Sequence, residues 1–148
     1  MKHILSITLV LVVSLAAFAA SGTDDAKAVQ GTWIPIKAEL AGHPMADAVL
    51  KTISLKLDNG KYEVFVGDEP DRGTYTLDVT SNPRGMTVIG TEGANHDKTF
   101  PAIYELGKDD NGDTLRICYD LSGAKRPTEF KSVAGTKLYL VTYTRRKQ

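Results

Sequence analysis

From Gly31 to Thr144 the apolar residues recur with a period of two, and turn residues cut the pattern at short intervals. Alternation of this kind puts residues i and i+2 on one face and marks half-buried β-strands; an amphipathic helix would need a period near 3.6. Ile53, Leu55 and Leu57 alternate with Ser54, Lys56 and Asp58. Asn59-Gly60 follows, a strong hairpin signal because both residues tolerate positive φ. Tyr62, Val64 and Val66 come next, then Tyr75 and Leu77 against Thr74, Thr76 and Asp78. Residues 81–85 form a turn, and short strands start at Met86 and Thr99. Asn111-Gly112 makes a second hairpin before Leu115, Ile117 and Tyr119, and residues 137–144 close the series. About eight strands joined mainly by short turns predict an all-β domain, an antiparallel up-and-down barrel or a sandwich. Trp33, Ile36, Val64 and Ile103 complete the expected inward set.

Three places depart from the alternation. Pro35 cannot donate to a ladder, so a bulge or an edge is expected in the first strand. Residues 45–51, after Pro44, place Ala46, Val49 and Leu50 at helical spacing. They predict a short helix between the first two strands, capping the barrel mouth with Val49 and Leu50 pointing inward. Residues 122–135 form a long polar connection holding Arg126, Glu129 and Phe130. There Glu129 is expected to pair with Arg126, and Phe130 to tuck under the barrel end.

The N-terminus has the three parts of an export signal. Lys2 supplies the charge, residues 4–18 the apolar run, and Ala17-Phe18-Ala19 the small-x-small cleavage pattern. The run is shorter than the roughly 20 apolar residues of a membrane span. Residues 1–20 are therefore expected to be removed, 21–29 to be a flexible lead-in, and 30–146 to form the domain. The mature protein is expected outside the cytoplasm, periplasmic or secreted, and free of the membrane. Lys and Arg number 18, matching 18 Asp and Glu. That balance argues against a nucleic-acid partner, because binding phosphates needs a basic surface. Cys118 is the single cysteine, so no internal disulfide forms, and packing must stabilise the domain.

Gly31-Thr32-Trp33 on the first strand resembles the lipocalin signature. That resemblance implies a Trp plugging the closed end of the barrel, with an Arg of the last strand, here Arg145 or Arg146, over its ring. The mature chain is also similar to a family of exported lipocalin-like proteins expanded in planctomycete bacteria. The residues carrying that likeness are Gln30-Gly31-Thr32-Trp33, Gly60-Lys61-Tyr62, Gly73-Thr74-Tyr75, Ile103-Tyr104-Glu105-Leu106, Asp113-Thr114-Leu115-Arg116-Ile117-Cys118-Tyr119 and Arg126-Pro127-Thr128-Glu129-Phe130. The resemblance implies a fold and a compartment, and no activity comes with it.

Catalysis needs a constellation: a nucleophile with a base, paired carboxylates, or metal ligands. None is legible in the sequence, so no catalytic residue, metal site or cofactor is expected. His43 and His96 lie in polar loops far from companion ligands. Asp109, Asn111 and Asp113 have the oxygen spacing that opens a calcium loop, but Thr114 stands where such a loop needs Gly; a charged hairpin turn accounts for them. The leading expectation is a non-enzymatic domain binding a small apolar molecule, with Trp33, Val49, Leu50, Tyr75, Tyr104, Arg126 and Glu129 as candidate contacts. The alternative is a filled barrel acting on a protein partner, as an interaction module or an inhibitor of an exported enzyme. An eight-stranded barrel is just wide enough for either. The sequence leaves both that choice and the oligomeric state open.

Overall fold

The computed structural model describes residues 22–148, so the expected signal peptide lies outside the described residues. The elements run α1 (Gly22–Ala28), β1 (Gly31–Leu40), β2 (His43–Pro44), α2 (Asp47–Leu50), β3 (Ile53–Asp58), β4 (Lys61–Val66), β5 (Glu69–Asp78), β6 (Arg84–Glu92), β7 (Thr99–Asp109), β8 (Gly112–Asp120) and β9 (Leu138–Arg145). The two-residue β2 only folds back on the end of β1. The other eight strands pair antiparallel, each with the next, and β9 returns to β1 from Trp33↔Arg145 to Leu40↔Tyr139. That last pairing closes the sheet, so the fold is an up-and-down barrel and not a sandwich. The seam between β1 and β3 is short, from Gly31↔Leu57 to Trp33↔Leu55, so the two strands diverge toward the end where α2 lies.

The alternation places Trp33, Leu55, Leu57, Tyr75, Leu115 and Ile117 in the buried core. Two expected inward residues fall elsewhere. The register between β1 and β9 shifts between Pro35 and Lys37. Ile36 sits in that bulge and is 50% exposed. Ile103 is buried, but its β7 neighbours Ala102 and Tyr104 belong to the interior cluster and Ile103 does not. It pairs with Cys118, also buried and also outside that cluster, so both lie on the outer face of the wall. The connection after β8 covers them. Cys118 Sγ donates to Lys131 O at 3.4 Å, and Arg126 pins the same connection to β6 and β7.

The two ends of the barrel differ. The end where β1 begins and β9 finishes is plugged. Within the segment expected to be a flexible lead-in, Gly22–Ala28 form α1 and Val29 is buried. A seven-residue helix is not stable alone in water; tertiary partners hold this one. Trp33 Nε1 donates to Val29 O at 2.8 Å. Asp25, 3% exposed, accepts from Arg84 Nη1 at 3.0 Å and from the Tyr104 hydroxyl at 2.5 Å. At the opposite end lie α2 and the turns between β4 and β5, β6 and β7, and β8 and β9. The expected helix over 45–51 is a single turn there, Asp47–Leu50, with Leu50 buried and Val49 41% exposed. One turn has room for one inward residue of this pair, which is why Val49 does not point in.

Candidate functional site

A cavity of about 200 Å³ opens inside the barrel, above the plugged end. Apolar side chains such as Leu55, Val64, Val88 and Phe100 form much of its wall, and Val66 and Leu121 reach its rim. Five of its lining residues are tyrosines: Tyr62, Tyr75, Tyr119, Tyr139 and Tyr143. The rings of Tyr119 and Tyr139 stack with centroids 5.7 Å apart. Burial pushes the phenols of Tyr119 and Tyr143 up. Buried tyrosines combine apolar area with a polar tip that needs a partner, so this wall is less purely apolar than the alternation suggests.

The remaining polar lining comes from Asp71 and Asn95. Asp71 shares the inward face of β5 with Gly73 and Tyr75, two and four residues on. Its carboxylate accepts from the Tyr62 hydroxyl at 3.3 Å, from Asn95 Nδ2 at 2.8 Å and from the Asn95 backbone N–H at 3.3 Å. Gly73 makes this arrangement possible. A Cβ there would lie 2.5 Å from the Tyr62 ring and 1.9 Å from the Ile89 carbonyl oxygen, so a side chain would displace both the ring and β6. Burial, reinforced by the charge of Asp71, pushes the Tyr62 phenol well above its ordinary value.

Of the seven residues expected to touch a ligand, the cavity wall holds Tyr75. Trp33 and Tyr104 are core residues of the plugged end. Arg145 lies over the Trp33 ring at 4.2 Å from its centroid, and the Tyr104 hydroxyl is engaged by Asp25. Leu50 packs into the core and Val49 faces solvent. No residue of α2 lines the cavity, so the helix is a rim element and not a lid across it. Arg126 is outside the barrel. Its guanidinium donates to Met86 O, Ala102 O and Thr87 Oγ1 at 2.6–2.9 Å, where neighbouring strands leave carbonyls to bind. Glu129 is exposed and pairs with Lys131 at 2.8 Å instead of Arg126. Phe130 lies beneath the Arg116 guanidinium, 4.2 Å away, on the barrel flank rather than under its end. Arg126 and Glu129 border only an open surface groove formed by the connection.

Sequence reasoning missed Tyr62, Asp71, Asn95, Tyr119, Tyr139 and Tyr143 as cavity residues. The tyrosines carried a signal, since the inward phase of β4, β8 and β9 passes through them. Asp71 and Asn95 carried none, because neither belongs to an alternating apolar run. Among the described residues no three His, Cys, Asp or Glu side chains gather as a metal centre would need. His96 pairs with Asp97 at 3.0 Å on the surface, and Asp109 and Asn111 form the expected hairpin turn.

Fold and site together define a closed eight-stranded antiparallel barrel, plugged at one end by a helix and holding a tyrosine-rich cavity toward the other. Comparison with protein-family models, curated proteins and solved structures finds no match.

Proposed function

We propose that this is a non-enzymatic, extracytoplasmic, lipocalin-like binding domain whose barrel takes one small, largely apolar molecule. The observation that supports the reading is the cavity of about 200 Å³ walled by aliphatic and aromatic side chains. For scale, an engineered apolar cavity of about 150 Å³ admits benzene. A pocket of this kind suits a compact aromatic or short-chain ligand better than a long acyl chain. The cavity also favours binding over the filled-barrel alternative, which needs a solid interior.

Calorimetric melting with toluene tests the reading. A neutral ligand that binds the folded state alone stabilises it by RT ln(1 + [L]/Kd), about 2.7 kcal/mol at a hundredfold excess over Kd. Val64→Phe, which fills the cavity, should abolish that gain. A melting temperature unmoved by toluene, and by other neutral aromatics of that size, would refute a ligand-binding barrel. Mass spectrometry of the exported product tests the compartment: its chain should start near Ala20 or Ser21, and an intact N-terminus in a membrane fraction would refute export.

A further inference from the structure

Asp71 is the single carboxylate among the described residues lining the cavity, and neither Lys nor Arg lines it. The ion pairs of the barrel leave Asp71 out. Its neighbour Arg72 turns outward to Glu63 at 2.5 Å and Glu92 at 3.2 Å. The partners of Asp71 are neutral donors, Tyr62 and Asn95. A carboxylate offers about four acceptor positions. Two of these bonds fall on Oδ2 and one on Oδ1, so Oδ1 keeps acceptor capacity. Asp71 is partly buried, so an incoming positive charge can reach that oxygen, and a charge-assisted hydrogen bond to it is stronger than one between neutral groups.

The surroundings suit a cation as well. Tyrosine faces attract ammonium groups through the ring quadrupole, most strongly where water is excluded, and Tyr62 and Tyr75 stand on the strands nearest Asp71. Asp71 pairs with Val64 close to the β4–β5 turn, so it lies toward the open end, while Tyr75 lies deeper along the same face.

We propose that the cavity selects a small primary or substituted ammonium compound, its charged nitrogen held at the rim by Asp71 and its apolar body running inward past Leu55 and Tyr75. This rests on the reading of the barrel as a ligand-binding domain and adds the ligand's charge. A carboxylate ligand of the same size is disfavoured, because Asp71 would repel it.

Isothermal titration of the full domain with three compounds of one shape tests this: phenethylamine, phenethyl alcohol and hydrocinnamate, at neutral pH. The amine should bind at least about tenfold more tightly than the alcohol, as one charge-assisted hydrogen bond implies, and the acid weakest of the three. Asp71→Asn should bring the amine-to-alcohol affinity ratio close to one, a ratio read within the same variant, and a toluene-induced rise in its melting temperature shows that the variant cavity is intact. Equal affinity of the amine and the alcohol in the unmodified protein would overturn the cation site and leave the binding domain standing. Retention of the amine preference by Asp71→Asn would overturn the role of Asp71. Binding of none of the three would overturn the binding domain itself, and the cation site with it.

Discussion

The guanidinium of Arg145 lies 4.2 Å from the centroid of the Trp33 ring, and the same group reaches the carbonyl oxygens of Gln30 and Ala28. One side chain thus covers the indole, caps the C-terminal end of α1 and, through Nε, bonds Asp113 at 3.1 Å. Gly31 makes room for it. Its φ is +131°, and a Cβ there would stand 2.6 Å from Arg145 Nη1. The glycine and the tryptophan of the Gly-x-Trp motif therefore serve a single packing unit.

Trp33 is fully buried in this unit. Trp33→Ala should cost about 3–5 kcal/mol, the range for deleting a large aromatic from a core. Arg145→Lys keeps a charge but loses the planar fork, and should cost about 1–3 kcal/mol. Urea melts read both. A loss below about 1 kcal/mol for Trp33→Ala would show the tryptophan to be peripheral.

Asp25 is the second anchor of the plug. It joins α1 to Arg84 and Tyr104, which lie 59 and 79 residues further along the chain. Tyr104→Phe removes one hydrogen bond and should cost about 1–2 kcal/mol; Asp25→Ala strands the Tyr104 hydroxyl as well and should cost about 2–4 kcal/mol. Trypsin supplies a second readout, since Lys27 should become cleavable in the Asp25 variant while the barrel stays intact. Resistance of Lys27 equal to that of the unmodified protein would show that Asp25 does not hold α1.

These anchors show where the sequence is readable and where it is not. The strands are readable because closure uses the same period-two code as each separate strand; Leu55, Leu57, Leu115 and Ile117 all point where their alternation puts them. The Asn59-Gly60 hairpin is local, so it too is visible in the sequence. By contrast, α1 is short, polar and set by partners far along the chain. Cys118 keeps the outward phase of its strand and Ile103 departs from the expected inward one, yet both are buried because the connection after β8 lies over their face, and nothing in β7 or β8 announces that cover. Asp71 reads as an ordinary polar residue until the pairing of β5 with β4 and β6 sets it against Tyr62 and Asn95.

Leu50 and Val49 are adjacent in α2 but differ in burial, 4% against 41% exposed. Leu50→Ala should cost about 2–4 kcal/mol as a core truncation. Val49→Asp should stay within about 0.5 kcal/mol and leave ligand affinity unchanged, as expected of a solvent-facing site. Thermal melts and a toluene titration check both. A marked loss of affinity in Val49→Asp would restore the lid that the sequence suggested.

The tyrosines give the barrel a distinctive alkaline limit. All six in the chain are displaced upward. Burial is the leading cause in each, and the charges of Asp71 and Asp25 add to it at Tyr62 and Tyr104. Tyr139 is pushed up to about 12 by burial alone. An unfolded phenol ionises near pH 10. A group whose folded value is raised contributes stability fully below the unfolded value and loses it as pH climbs through the folded one. The barrel should therefore hold constant tyrosine-linked stability up to about pH 10 and weaken progressively above it. Phenolate absorbance, followed with far-ultraviolet circular dichroism, tests this directly. Near pH 10 the folded protein should show almost no phenolate, and ionisation should then rise together with the loss of β-sheet signal. A phenolate signal of ordinary size near pH 10 from a protein whose sheet is still intact would mean that some of these hydroxyls face water, and that the cavity wall is more open than the packing of Tyr119, Tyr139 and Tyr143 implies.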